Sequence, residues 1–207
     1  MFMNWKVSIN DSYWRVKNDK KIINVKPIKE KEVLKNFSNE LLKNKHGQRD
    51  YTIFVFGIFT GLRISDILNL KVSDVKGKLK ADIVEKKTGK KRTLNLMQLT
   101  NQIIKYLNEE HDGESEWLFP SPRDNTKHLA SHQYYKIMQK TAESLDLDYI
   151  GTHTLRKTFG YTYYQKTKDL ASLMKILNHS SQSITLKYIG IEEEELQSSL
   201  DNFNPFR

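Results

Sequence analysis

At 207 residues the chain has room for one sizeable hydrophobic core but not for two full-sized domains. Its 38% hydrophobic and 29% charged residues, with 9 Gly and 4 Pro, exclude fibrous and disordered classes, and the lack of Cys excludes disulfides, thiolate zinc sites and cysteine nucleophiles. Thirty-four Lys plus Arg against 25 Asp plus Glu give a net charge of +9, which suits a polyanionic partner, while no apolar run approaches the ~20 residues of a bilayer span.

Residues 1–26 alternate in short stretches such as Lys6-Val7-Ser8-Ile9 and Ile22-Ile23-Asn24-Val25, which predicts a small strand-rich arm with no signal-peptide character. From Pro27 the period becomes helical. Val33, Phe37 and Leu41 share one face, an apolar run from Tyr51 to Phe59 stops at Gly61, and Ile64, Ile67 and Leu68 make a short helix. Residues 80–96 read as a hairpin turning at Thr88-Gly89, the one strong hairpin signal of the main body. Helices follow over 97–109, 131–145, 153–166 and 168–178, with Trp117-Leu118-Phe119-Pro120 as a brief extended piece. A helix over 181–189 and an acidic one over 192–200 close the chain. The pattern is mainly α with one small β-hairpin.

Four stretches carry chemistry. His153 and Arg156 are three apart at a helix start, so both leave from one face near the positive end of the helix dipole, where a phosphate is favoured. Arg63 follows a helix-ending Gly, and Asp66 is spaced to hold its guanidinium. Lys86, Lys87, Lys90, Lys91 and Arg92 put five cations in seven residues at the hairpin tip, the way a strand pair delivers a lysine to a backbone phosphate or a groove edge. His179 ends one helix and Tyr188 lies in the next. Taken singly, each is read as a capped helix, a surface ion pair, a solvated turn or a packing tyrosine. Their order along the chain is what carries information.

That order, with Thr60-Gly61-Leu62-Arg63-Ile64-Ser65-Asp66-Ile67, Lys87-Thr88-Gly89-Lys90, His153-Thr154-Leu155-Arg156-Lys157-Thr158-Phe159 and Leu177-Asn178-His179-Ser180-Ser181 leading to Tyr188, resembles the catalytic domain of the tyrosine recombinases, the phage integrase family. The resemblance runs from about Pro27 to Glu195. Two positions depart from the usual pattern: Lys157 stands where a His commonly follows the second Arg, and Asn178 where a Gly is usual. The family also usually carries a separate helical core-binding domain ahead of the catalytic one, for which 1–26 is too short, so a short, catalytic-domain-only form or a remnant of a longer integrase is expected.

The resemblance implies the DNA breaking-rejoining fold over 27–207, with 192–207 as a segment exchanged between protomers. It implies a site-specific recombinase that attacks a DNA phosphate with Tyr188, leaving a 3′-phosphotyrosine and a free 5′-hydroxyl, without metal, cofactor or ATP. Arg63, Arg156 and His179 would stabilise the phosphorane, Lys87 (Lys86 in reserve) would protonate the leaving oxygen, and His153 would take the Tyr188 proton or tune the phosphate contacts. Lys86, Lys90, Lys91, Arg92 and Lys157 are the expected DNA contacts. The expected partners are double-stranded DNA and further copies of the chain, a monomer in solution and a tetramer on DNA, with room for accessory DNA-bending proteins. The expected setting is the cytoplasm and nucleoid of a bacterial host, with no membrane partner. Three rivals remain at this point: a metal-dependent nuclease built on Asp74, Glu85 and Lys87, a type IB topoisomerase, and a DNA-binding relative without catalysis.

Overall fold

The computed structural model describes residues 25–191 together with Leu200. The strand-rich arm expected over 1–26, but for Val25 and Lys26, and the exchange segment expected over 192–207, but for Leu200, lie outside the described residues.

Among these the chain forms nine helices, α1 (Lys31–Leu42), α2 (Gly47–Thr60), α3 (Ile64–Leu68), α4 (Val72–Val75), α5 (Thr100–Glu109), α6 (Ser131–Glu143), α7 (Thr154–Thr167), α8 (Leu170–Leu177) and α9 (Gln182–Ile189). Two antiparallel pairs complete it: β1 (Lys80–Val84) with β2 (Lys91–Asn95), and β3 (Pro120–Ser121) with β4 (Asp124–His128).

Helix α2 is the axis of the fold because its middle is buried all round: Ile53, Phe54, Val55 and Phe56 are consecutive and all buried, and only near its end does Phe59 reach solvent. It packs against α1, α3, α5 and α7. Phe37 of α1 stacks on Phe54 at 5.4 Å, and Phe119 meets the edge of Phe56 at 5.9 Å. Against α7 the two backbones come close: a Cβ on Gly57 would lie 2.6 Å from the Leu155 side chain. Helix α2 ends at Gly61 in the left-handed region (φ 63°), where a Cβ would lie 2.3 Å from the Phe159 ring. Those two contacts set the start of α3 beside the start of α7.

The first hairpin lies where the sequence predicts it. Ala81 pairs with Leu94 on the buried face, and Glu85 N–H to Lys90 O at 3.0 Å closes a tip that turns through Gly89 (φ 65°). The second hairpin and α4 are additions to the expected elements. β4 reads Asp-Asn-Thr-Lys-His, with neither apolar alternation nor a Gly turn to betray it, and its partner is the end of the extended piece that buries Leu118 and Phe119. Four-residue α4 is held by Lys71 N–H to Asp74 Oδ2 at 2.8 Å, too short to show a period.

A second, smaller apolar cluster joins α7, α8 and α9 through Leu173, Leu177, Ile189 and Ile191. Gly160 of α7 makes the approach possible, since a Cβ there would lie 2.7 Å from Ile189. Asp169 caps α8 through Ser172 N–H at 2.9 Å, and Ser181 caps α9 through Ile184 N–H at 3.2 Å. Between them Asn178 turns the chain with φ 53°, a conformation open to Gly and, next best, to Asn, which explains the departure at that position.

Candidate active site

Arg156 is the buried centre of the candidate site. Its Nη1 donates to Gly61 O at 2.6 Å and its Nη2 to Leu177 O at 2.9 Å, so one guanidinium joins the C-terminal ends of α2 and α8. Both carbonyls sit at negative helix ends, which favour a cation. Burial, with Arg63 close by, pulls the Arg156 pKa down from its ordinary value, against the raising effect of Tyr188.

Arg63 is the N-cap residue of α3, with extended backbone directly after the Gly61 and Leu62 turn. Its Nη1 donates to Glu85 Oε2 at 2.7 Å, while the nearer Asp66 oxygen is 3.9 Å away. The expected Arg63–Asp66 ion pair is present at that distance, but Asp66 also accepts the Lys86 backbone N–H at 2.9 Å and so anchors the hairpin, while Glu85 makes the closer bond to the arginine. The same Glu85 oxygen accepts the Thr88 hydroxyl at 3.0 Å, and Glu85 Oε1 lies 3.7 Å from Arg92. Burial raises the Glu85 pKa, yet the Arg63 and Thr88 hydrogen bonds outweigh it and hold the carboxyl below its ordinary value.

Lys86, Lys87, Lys90 and Lys91 are all exposed at the hairpin tip, and the Lys87 charge reaches far enough to disfavour protonation of His153. Lys90 donates to the Asn178 side chain and links the tip to the turn between α8 and α9. Arg92 departs from its expected place on the DNA-facing surface. Along β2, Lys91, Thr93 and Asn95 face solvent while Arg92 and Leu94 face inward, and the Arg92 guanidinium donates to Thr60 O at the end of α2. Lys157 also turns inward: its Nζ donates to Val25 O at 2.6 Å and lies 5.2 Å from the centre of the Tyr188 ring.

The Tyr188 hydroxyl lies 3.4 Å from His153 Nδ1, and its ring meets the His179 ring edge-on at 4.9 Å. Burial pushes the phenol pKa up, partly offset by Arg156 and Arg63. His153, the N-cap residue of α7, has its pKa lowered by burial and then by Arg156, Lys157, Arg63 and Lys87, which favours the neutral ring able to accept a proton. His179 is lowered by burial, Arg156 and Arg63. Its Nδ1 lies 3.1 Å from the Thr185 hydroxyl.

The structure thus gathers Arg63, His153, Arg156, His179 and Tyr188 around one spot, with Lys87 on the hairpin beside it. Sequence reasoning missed Thr185, and named Glu85 only for the nuclease rival, not as the partner of Arg63. A lone carboxylate at the foot of a five-cation tip was the available signal for Glu85; Thr185, in an ordinary helical position, gave none. The carboxylates of the nuclease reading are separated in role, since Asp74 caps α4 and Glu85 binds arginine. Among the described residues no three His, Asp or Glu side chains gather as a metal-ligating group.

The sequence pattern of the phage integrase family matches residues 26–195. A "Probable integrase/recombinase YoeC" of Bacillus subtilis (strain 168) is 46% identical over 181 residues, 86% of this chain and 97% of that protein. "Tyrosine recombinase XerA" of Pyrococcus furiosus is 27% identical over 201 residues, 95% of this chain and 68% of that protein. Among solved structures, the fold is similar to XerH site-specific recombinase bound to palindromic difH substrate in a post-cleavage complex, with TM-score 0.68 at 22% identity. That match covers 84% of this chain and 51% of the other. XerA recombinase gives 0.69 at 19% identity, covering 88% and 67%. The chain therefore spans between half and two thirds of these solved relatives, and with a family match over most of its length and a near full-length relative at 46% identity, it belongs to the phage integrase family.

Proposed function

We propose that this member of the phage integrase family is a site-specific DNA recombinase that cuts and rejoins strands through Tyr188. The observation that carries the proposal is the setting of the Tyr188 hydroxyl, 3.4 Å from a histidine nitrogen that favours the neutral state, with the charges of Arg156 and Arg63 bearing on the phenol. Tyr188 Oη bonds to the scissile phosphorus as the bond to the 5′-oxygen breaks. The phenol proton passes to His153, and Lys87 gives a proton to the leaving oxygen. Attack by the 5′-hydroxyl of another strand reverses both transfers and releases Tyr188.

Arg63, Arg156 and His179 supply charge and donors to the phosphate oxygens where negative charge builds up. Arginine suits this role because its fork grips two oxygens and keeps its charge at any cellular pH. Lys86, Lys87, Lys90 and Lys91 form the exposed basic edge that meets the DNA backbone. No helix among the described residues is long and apolar enough to cross a membrane. The protein acts on double-stranded DNA in the cytoplasm, as a monomer in solution and a tetramer on its site, with residues 192–207 exchanged between copies. Light scattering with and without DNA tests the assembly.

The chemistry is tested with nicked suicide substrates cut from the DNA flanking the gene, incubated in EDTA and resolved on a denaturing gel. Protein covalently joined to a 3′-phosphate that disappears with Tyr188→Phe is the expected result. Mobility shifts on these substrates with no covalent product would favour a DNA-binding protein without catalysis.

A further inference from the structure

Thr185 is fully buried, on α9 one helical turn before Tyr188, and has one hydroxyl proton to give. That proton has a partner: Thr185 Oγ1 donates to Ser181 O at 2.9 Å, the usual bond of a helical threonine to the carbonyl four residues back. The remaining neighbour of the same oxygen is His179 Nδ1 at 3.1 Å. With that proton given to Ser181 O, the hydroxyl meets Nδ1 as an acceptor, and Nδ1 then carries the hydrogen. A neutral imidazole carries one.

We propose that Thr185 is a positioning residue that fixes His179 in its Nδ1–H form and orients the ring, leaving Nε2 as the atom that serves the phosphate. The assignment of Nε2 rests on the recombinase reading above; the hydrogen placement does not. It follows that neutral His179 offers a lone pair at Nε2, and that the ring becomes a donor to a phosphate oxygen only on gaining a second proton. The groups around it bear on that step: Arg156 of α7 and Arg63 at the start of α3 oppose it, the Tyr188 ring of α9 lies at its edge, and Lys90 of the hairpin is held by the adjacent Asn178. An incoming phosphate anion supplies the opposite charge. Thr185 also ties the ring to the helix that bears the nucleophile, so His179 and Tyr188 move together.

Nitrogen-15 NMR of the imidazole side chains in the free, full-length protein tests this without DNA, because a protonated and a bare ring nitrogen differ widely in shift and in coupling to the ring protons. The His179 signals are assigned as those missing from His179→Gln. The expected result, at a pH where the ring is neutral, is the hydrogen on Nδ1 in the wild type and in Thr185→Ser, and a shift toward Nε2–H in Thr185→Val. On the suicide substrates, Thr185→Val should form covalent complex about tenfold more slowly, as for loss of one orienting hydrogen bond, while Thr185→Ser stays near wild type. A wild-type ring protonated on Nε2 overturns the proposal, and that measurement needs no variant to fold. So does a Thr185→Val protein of native melting temperature with unchanged tautomer. If the tautomers come out as expected but no covalent complex forms even with wild type, the failure belongs to the recombinase reading and not to Thr185.

Discussion

Glu85 accepts a hydrogen bond from the Arg63 guanidinium at 2.7 Å, bridging the end of β1 and the start of α3. With Thr88 on the same oxygen and Arg92 near the other, this carboxylate fixes where the hairpin tip, and therefore Lys87, stands relative to the arginines. Replacing it by Gln keeps the shape and loses the charge, leaving the half-buried guanidiniums of Arg63 and Arg92 poorly compensated. Glu85→Gln should cost about 2 kcal/mol at neutral pH, measured by urea unfolding. The folded pKa of Glu85 is depressed from 4.5, so its contribution is present above that value and is lost as the pH falls through the folded pKa. The gap between wild type and Glu85→Gln should therefore close in acid; a gap that persists there would show that charge is not the cause.

The proton acceptor assigned to Tyr188 sets one limb of the rate profile. The His153 pKa is lowered from 6.5, chiefly by burial and then by Arg156, so the ring is neutral at physiological pH and cleavage should slow only as the pH drops below 6.5. His153→Gln should be slower and lack that acid limb. An identical limb in His153→Gln would move the role of base to another group.

Gly61→Ala is the backbone test. At φ 63° a new Cβ is strained, and it would stand 2.3 Å from the Phe159 ring. The loss should be about 3 kcal/mol. Because Gly61 O is also an acceptor for Arg156, any protein that still folds should cleave far more slowly.

Asn178 tests the unusual turn ahead of His179. Asn178→Gly adopts φ 53° without strain but gives up the contact with Lys90, so thermal melting should place it within about 0.5 kcal/mol of wild type. Asn178→Val has no such freedom and should lose about 2 kcal/mol. Equal stability of the Gly and Val variants would mean that the turn is not held in that conformation.

Much of this was legible in the chain because it depends on local signals: a helix that stops at Gly61, a His and an Arg three apart at a helix start, and a hairpin that turns at Gly89. What stayed hidden is long-range or lies between the periodicities. Arg92 reads as one more surface cation in a basic run, and only the inward register shared with Leu94 reveals that it faces Thr60 O. Glu85 binds Arg63 more closely than Asp66 does, because spacing along one short helix says nothing of a carboxylate arriving from a strand. Lys157 has the charge of a DNA contact, yet the chain at Val25 draws it inward over Tyr188. The polar strand β4 owes its pairing to a neighbour that buries Phe119 rather than to a pattern of its own.

The candidate site also straddles a seam. Arg63 and the hairpin stand on the main core, whereas Tyr188 and His179 ride on the small cluster of Leu173, Leu177, Ile189 and Ile191. Attacker and cradle are thus founded on different ground, and the α8–α9 module is the less deeply rooted of the two. Tyr188 is thus held against the arginines by a handful of aliphatic contacts and by the Arg156 bond to Leu177 O. Arg156, fastened to Gly61 on one side and Leu177 on the other, is the clasp across that seam, so whatever draws its guanidinium toward DNA also slackens the joint.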